Sequence, residues 1–194
     1  MAQLFNNNTI GPSYAKQLQA EHSGSKWGST GAKYSGNDVL ALLGTRPYIR
    51  TVLDFGAGKG SMGLFVKQHF PDLEWTNYDP GIPEYDRLPT RQFDLVISTD
   101  VLEHVEPDSL PNVLATLEGL TGKVLFSDIA CFLTGKLFGE GPYIGQDFHL
   151  IVEEPSWWRK QFKAINLHEA EYRHYEKESK GIMKARCLMV HERT

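Results

Sequence analysis

Cysteine is almost missing from the 194-residue chain: Cys131 and Cys187 stand far apart, and neither belongs to a Cys-x-x-Cys pair. A disulfide framework and a cysteine-built zinc site are therefore unsupported. Basic charge is also scarce, with 20 Lys and Arg against 24 Asp and Glu and a net charge of −4. A chain that lives on duplex nucleic acid needs a basic excess against the phosphates, so that role is disfavoured. Lys16, Lys26, Lys33, Arg159 and Lys160 are the ingredients of any local basic face. No apolar run approaches the ~18 residues of a membrane span, and the first residues have no basic stretch followed by an apolar one. The expectation is a soluble protein of a reducing compartment, cytoplasmic and without membrane association.

Apolar and aromatic residues are plentiful enough, at 41% and 11%, to build a sizeable core without staples. The length suits one domain over residues 1–194. Residues 1–36 are polar and rich in Asn, Gly, Ser and Lys, and read as an irregular arm or cap over the site. The core occupies residues 37–194.

Regular signals begin at Asn37, which with Asp38 caps a short helix through Leu43, stopped by Gly44. Residues 51–55 (TVLDF) read as a strand, 61–70 as an amphipathic helix ended by Pro71, and 73–78 as a second strand. Residues 93–98 (FDLVIS) and 122–128 (GKVLFSD) are further strands, separated by a helical stripe at Leu110, Val113, Leu114, Leu117 and Leu120. A helix opens at Glu154-Pro155. Two late strands, 164–173 and 184–192, are joined by a charged turn containing Gly181. Such alternation argues for an open parallel sheet with helices on both faces and a ligand crevice beyond the carboxyl ends of its strands. Gly56 to Gly60, Asp79, Ser98 to Asp100 and Asp128 should converge there.

The bend Asp54-Phe-Gly56-Ala-Gly58-Lys-Gly60 joins the first strand to its helix. Its glycines allow a tight turn and a close approach of backbone to ligand. A P-loop is excluded, because Lys59 is followed by Gly60 and the earlier glycine it requires falls on Leu53. The dinucleotide spacing Gly-x-Gly-x-x-Gly is formally met by Gly58, Gly60 and Gly63. Asp54, however, would face a pyrophosphate, and two anions ~4 Å apart repel by about 4 kcal/mol at an effective dielectric of roughly 20. The same carboxylate suits a ligand carrying an ammonium and a sulfonium. Asp79 closes the second strand, where an acid accepts ribose hydroxyls from either kind of nucleoside.

The runs VLDFGAGKG (52–60), NYDP (77–80), FDLVISTDVLEHVEP (93–107) and VLFSDI (124–129) resemble the successive motifs of class I S-adenosylmethionine-dependent methyltransferases. The resemblance implies a Rossmann-like, seven-stranded, mostly parallel sheet with an antiparallel C-terminal hairpin. It implies that Asp54, Gly56, Gly58 and Gly60 face the methionine part of the cofactor and that Asp79 holds the ribose. Asp86 falls where the family contacts adenine, and Thr99 joins the cofactor contacts. The third strand of that plan is weakly marked, since residues 81–91 are rich in proline and charge. Trp27 and Tyr34 either fold over the cofactor or anchor the arm to the sheet.

A sulfonium methyl is already activated, so the enzyme mainly aligns the nucleophile, and a base is needed only where a proton must leave. His104 is the first candidate base and His149 the second; each also has a structural reading as a packed histidine. Glu103 reads as a loop-holding acid. Trp157 and Trp158 either line an aromatic pocket or pack in the core. Cys131 reads as a small buried apolar residue rather than a nucleophile. No metal is required; Asp100 and Asp128 are the acids a metal-dependent site would use. The expected activity is methyl transfer from S-adenosylmethionine to an oxygen or nitrogen of a small-molecule acceptor. A nucleic-acid methyltransferase, a non-catalytic cofactor-binding protein and a nicotinamide-dependent reductase stay open as alternatives.

Overall fold

Runs such as Val52-Leu53 and Leu95-Val96-Ile97 carry no polar alternation, so a strand built from them must be covered on both faces. The computed structural model, which describes residues 9–24, 28–29, 31–179 and 182–194, covers them in that way. Its elements are α1 (Pro12–Gly24), α2 (Gly31–Gly44), β1 (Thr51–Phe55), α3 (Ser61–Lys67), β2 (Glu74–Tyr78), β3 (Phe93–Thr99), α4 (Leu110–Leu120), β4 (Thr121–Ala130), α5 (Pro155–Gln161), β5 (His168–Ser179) and β6 (Ile182–Glu192). They form a Rossmann-like sheet in the order β2-β1-β3-β4-β6-β5, with β1 to β4 parallel and β6 antiparallel to both neighbours.

One core lies between the sheet and α4 and α5, where Leu53, Val96, Leu125 and Met189 meet Leu114, Leu117 and Trp158. The other lies under α2 and α3, where Val52, Ile97, Phe126 and Leu188 meet Val39, Leu42, Met62 and Val66. Residues one apart in a strand thus belong to opposite cores, as the period of two requires. Trp158 is fully buried in the first core and is a core residue; Trp157, half-buried, packs against the same core.

The described residues hold six strands, not seven. Between β2 and β3 the chain runs through turns, because Pro80, Pro83 and Pro89 each remove a donor that a strand would need. The described residues of the supposedly irregular arm are largely helical: α1 buries Tyr14, Gln17, Leu18 and His22, and α2 begins six residues before Asn37, at Gly31. There Ser35 and Gly36 are buried, and a Cβ on Gly36 would stand 2.7 Å from the Phe65 ring. Helix α3 stops at Lys67, before Pro71 is reached, and residues 162–164 form a short 3₁₀ turn where a strand start was expected. The expected turn at Gly181 lies outside the described residues.

Candidate active site

Parallel pairing brings the carboxyl ends of β1, β2 and β3 side by side, with Phe55 opposite Tyr78 and Thr99 opposite Asp128 on β4. Beyond those ends the chain turns sharply: Gly56, Gly58 and Gly60 have φ of 80°, 52° and 74°, and Asp100 has φ of 54°. Aspartate is among the few residues that tolerate the left-handed region, and it sits there at the mouth of the crevice.

The crevice is walled on the sheet side by Gly56, Gly58, Asp79, Asp100 and His104. Tyr14, Leu18 and His22 of α1 close the other side. The cover is tied down at both ends. Glu106 accepts hydrogen bonds from Gly11 N (2.5 Å) and from the Tyr143 hydroxyl (2.9 Å), while the Gly28 carbonyl accepts one from Lys59 N (2.8 Å). Tyr14 donates its hydroxyl to the His104 carbonyl at 2.7 Å.

Two buried carboxylates stand at the glycine bend. Asp79 is held by backbone donors, Gly58 N to Oδ2 at 2.7 Å and Gly81 N to Oδ1 at 2.8 Å, with His22 Nε2 at 3.8 Å from Oδ1. Asp54 lies beneath the bend, 2% exposed, and its Oδ2 meets no hydrogen-bond donor among the described residues. Burial first, and the charge of Asp79 second, push the Asp54 carboxyl up to about 8. Asp79 thus lines the crevice, and the bend beneath it holds an unanswered acceptor oxygen.

A second polar group occupies the ends of β3, β4 and β6. Arg186 binds Asp100 at 2.7 Å and Asp128 at 3.1 Å, and Ser35 donates to Asp128 Oδ2 at 2.6 Å. The two acids that a metal-dependent site was expected to use are therefore engaged by a guanidinium. Beside them Glu103, fully buried, accepts a hydrogen bond from Ala130 N at 2.9 Å. Burial and the charge of Asp100 hold its carboxyl well above the usual range. His104 and His149 stack edge to face at 4.7 Å. Their Nδ1 atoms lie 2.7 Å from the Phe148 carbonyl and 2.5 Å from the Phe132 carbonyl. Burial is the main cause that lowers both imidazoles, His104 to about 4, so both are neutral at pH 7.

Of the residues singled out from the sequence, Gly56, Gly58, Asp79 and His104 line the crevice, Asp54 and Gly60 belong to the bend beneath it, and His149 packs on His104. Thr99 is buried at the end of β3 and Asp86 is exposed after β2; the crevice walls include neither. Tyr34 lies on α2, 44% exposed, with the Arg186 guanidinium 5.8 Å from its ring. Trp27 lies outside the described residues. Burial raises the Cys131 thiol to about 12, which keeps it protonated and unreactive. Sequence reasoning missed Arg186 and the α1 residues. An arginine directly ahead of the apolar run CLMV was the available signal for the first.

The methyltransferase domain family matches residues 30–175. Among solved structures, the chain is similar to magnesium protoporphyrin IX methyltransferase from Synechocystis PCC 6803 with bound SAM (TM-score 0.62, 14% identity, 100% of each chain covered). It is also similar to Burkholderia thailandensis 1,6-didemethyltoxoflavin-N1-methyltransferase (TM-score 0.61, 16% identity, 95% of this chain and 92% of that one). An O-methyltransferase family protein from Burkholderia thailandensis matches with TM-score 0.60 and 15% identity over 93% of this chain, which spans 64% of that protein. No curated protein matches the sequence. At these identities the structural likeness is one of fold, and the family match adds the chemistry. The chain belongs to the methyltransferase domain family, among the class I S-adenosylmethionine-dependent methyltransferases.

Proposed function

We propose that the protein methylates an oxygen or nitrogen of a small-molecule acceptor, with S-adenosylmethionine as donor. The observation that carries the cofactor assignment is the unpartnered, buried Oδ2 of Asp54 beside the glycine bend. A diphosphate would leave that oxygen without a counter-charge, whereas an ammonium or sulfonium stabilises the Asp54 carboxylate and drives off its proton. Asp54, Gly56, Gly58 and Gly60 would hold the methionine part and Asp79 the ribose. Each Asp79 oxygen already accepts one backbone N–H and keeps a lone pair for a hydroxyl, so the carboxylate is oriented before the ligand arrives. When bound, the cofactor supplies an electrophilic methyl group on sulfur. What remains for the chain is to align the acceptor and exclude water.

His104, in the crevice wall, and His149 behind it would receive the acceptor. Neutral imidazoles with Nδ1 fixed on carbonyls present Nε2 as an acceptor for an O–H or N–H, orienting the lone pair that attacks. Tyr14, Leu18 and His22 of α1 lie over the crevice, an enclosure that suits a small acceptor. The basic face that a strand of nucleic acid would need is weakened, because Arg159 is committed to Glu169. Two unpaired thiols, Cys131 and Cys187, suit a reducing, cytoplasmic setting.

Thermal denaturation with each nucleoside tests the cofactor: S-adenosylhomocysteine should raise the Tm and NADH should not, and the reverse result would overturn the reading. With an acceptor found through co-purifying ligands, His104→Ala should lower kcat by about 10²–10⁴-fold if a proton moves to it in transfer. S-adenosylhomocysteine affinity should stay near that of the parent. Equal turnover would remove His104 from the site.

A further inference from the structure

The mechanism above leaves one group without a use. Glu103 is fully buried; its Oε1 accepts the Ala130 N–H, but its Oε2 meets no donor among the described residues. Burying a carboxylate oxygen without a partner is costly, and folds avoid it unless something else arrives. The residues that converge on Glu103 are His104 and His149. One ligand atom from each of the three lies within 4.8 Å of the other two.

The chemistry of the two rings matters more than their proximity. A backbone carbonyl only accepts, so the contacts of His104 with Phe148 O and of His149 with Phe132 O fix the proton on Nδ1 in both rings. The ring lone pair is then on Nε2 in both. Metal-ligating histidines are commonly oriented in this way, one nitrogen donating to a carbonyl and the other turned to the ion. We propose that Glu103, His104 and His149 bind one divalent transition-metal cation, through Glu103 Oε2 and the two Nε2 atoms.

One carboxylate and two imidazoles suit Mn²⁺, Fe²⁺, Co²⁺ or Zn²⁺ better than Mg²⁺ or Ca²⁺, which prefer all-oxygen sets. Three protein ligands leave at least one position open, the arrangement of a site that handles a substrate rather than one that only braces a fold. His104 lines the crevice, so the open position borders the space assigned to the acceptor. A cation there would select an oxygen acceptor over an amine; that consequence, unlike the binding itself, rests on the proposed methyl transfer. Coordination makes a hydroxyl acidic, its proton leaves to water, and the new O–C bond forms as the S–C bond of the sulfonium breaks. Charge balances, with oxyanion and sulfonium giving ether and thioether.

Titration of chelator-treated full-length protein with CoCl₂, followed by visible absorption and by calorimetry, tests the site without any acceptor. One equivalent of Co²⁺ should bind. Losing a neighbour of a ligand costs about 10–100-fold in affinity, so removing a ligand, in Glu103→Gln or His149→Asn, should cost more than about 100-fold. Asparagine at 149 keeps an N–H for the Phe132 carbonyl and removes only the ring Nε2, which preserves the fold should glutamine at 103 disturb it. S-adenosylhomocysteine binding, measured in parallel on the same samples, reports separately on the cofactor reading. Absence of stoichiometric Co²⁺ binding by the parent protein, or unchanged Co²⁺ affinity in His149→Asn, would overturn the proposal even where the cofactor still binds.

Discussion

The same sheet edge carries two clusters of carboxylates, and they are balanced differently. At the ends of β3, β4 and β6, Asp100 and Asp128 share Arg186, whose guanidinium their charges hold still more firmly protonated. At the end of β1, the two causes that dominate at Asp54, burial and the charge of Asp79, both act upward. One cluster brings its own counter-ion from a neighbouring strand. The other leaves a buried carboxyl without a counter-charge beneath a cavity. The first arrangement braces the sheet edge from within, whereas the second gains stability only when a cation arrives from solution.

Breaking the balanced cluster should have the largest effect on folding. Arg186→Met leaves buried Asp128 and half-buried Asp100 without a counter-charge, which costs about 3–5 kcal/mol. Urea denaturation should show the unfolding free energy falling by that amount, through a lower midpoint without a change in slope. Adding Asp100→Asn and Asp128→Asn should recover most of the loss, since removing the whole charge set is close to neutral. A triple variant no better than the single one would mean that Arg186 acts through packing. The unbalanced cluster responds in binding instead. Asp79→Ala should weaken S-adenosylhomocysteine by about 1–3 kcal/mol through lost hydroxyl contacts, read as the dissociation constant by calorimetry. An unchanged constant would remove Asp79 from the cofactor site.

The two clusters were unequally legible in the sequence, for physical reasons. The glycine bend and Asp79 are consecutive with the strands that place them, so local pattern was enough: β1 has the predicted bounds, the predicted apolar stripe lies on α4, and β2 and β3 differ by one residue at one end. Arg186 meets Asp128 and Asp100 only through the antiparallel return of β6 beside β4, a pairing between residues far apart in sequence. Helix α1 escaped because its buried stripe, Tyr14, Gln17, Leu18 and His22, is half polar. Gln17 donates Nε2 to the Glu140 carbonyl at 2.6 Å, while its Oε1 meets no donor among the described residues. Hydropathy cannot distinguish such a face from a solvated one. His149 was recognisable as a candidate, but its contact with His104 depends on how residues 131–154 fold back over the sheet edge.

The finest test of the contrast uses pH. Asp54 titrates at about 8 in the fold, against about 3.9 in an unfolded chain. Its raised value means that the folded state prefers the protonated form; the stability this gives is complete below pH 4 and is lost progressively as pH rises to about 8. Asp54→Asn removes that slope, so its gain in Tm over the parent should grow from pH 5 to pH 8 and then level. Binding should run the other way. The ammonium of S-adenosylhomocysteine requires the carboxylate, so below pH 8 the ligand must expel a proton, and affinity should rise by about tenfold per pH unit toward pH 8. The asparagine variant should bind weakly and almost independently of pH. Calorimetry in buffers of different ionisation enthalpy counts the released proton directly. A parent protein that binds S-adenosylhomocysteine without releasing a proton at pH 7 would show that the ligand is not the cation that balances Asp54.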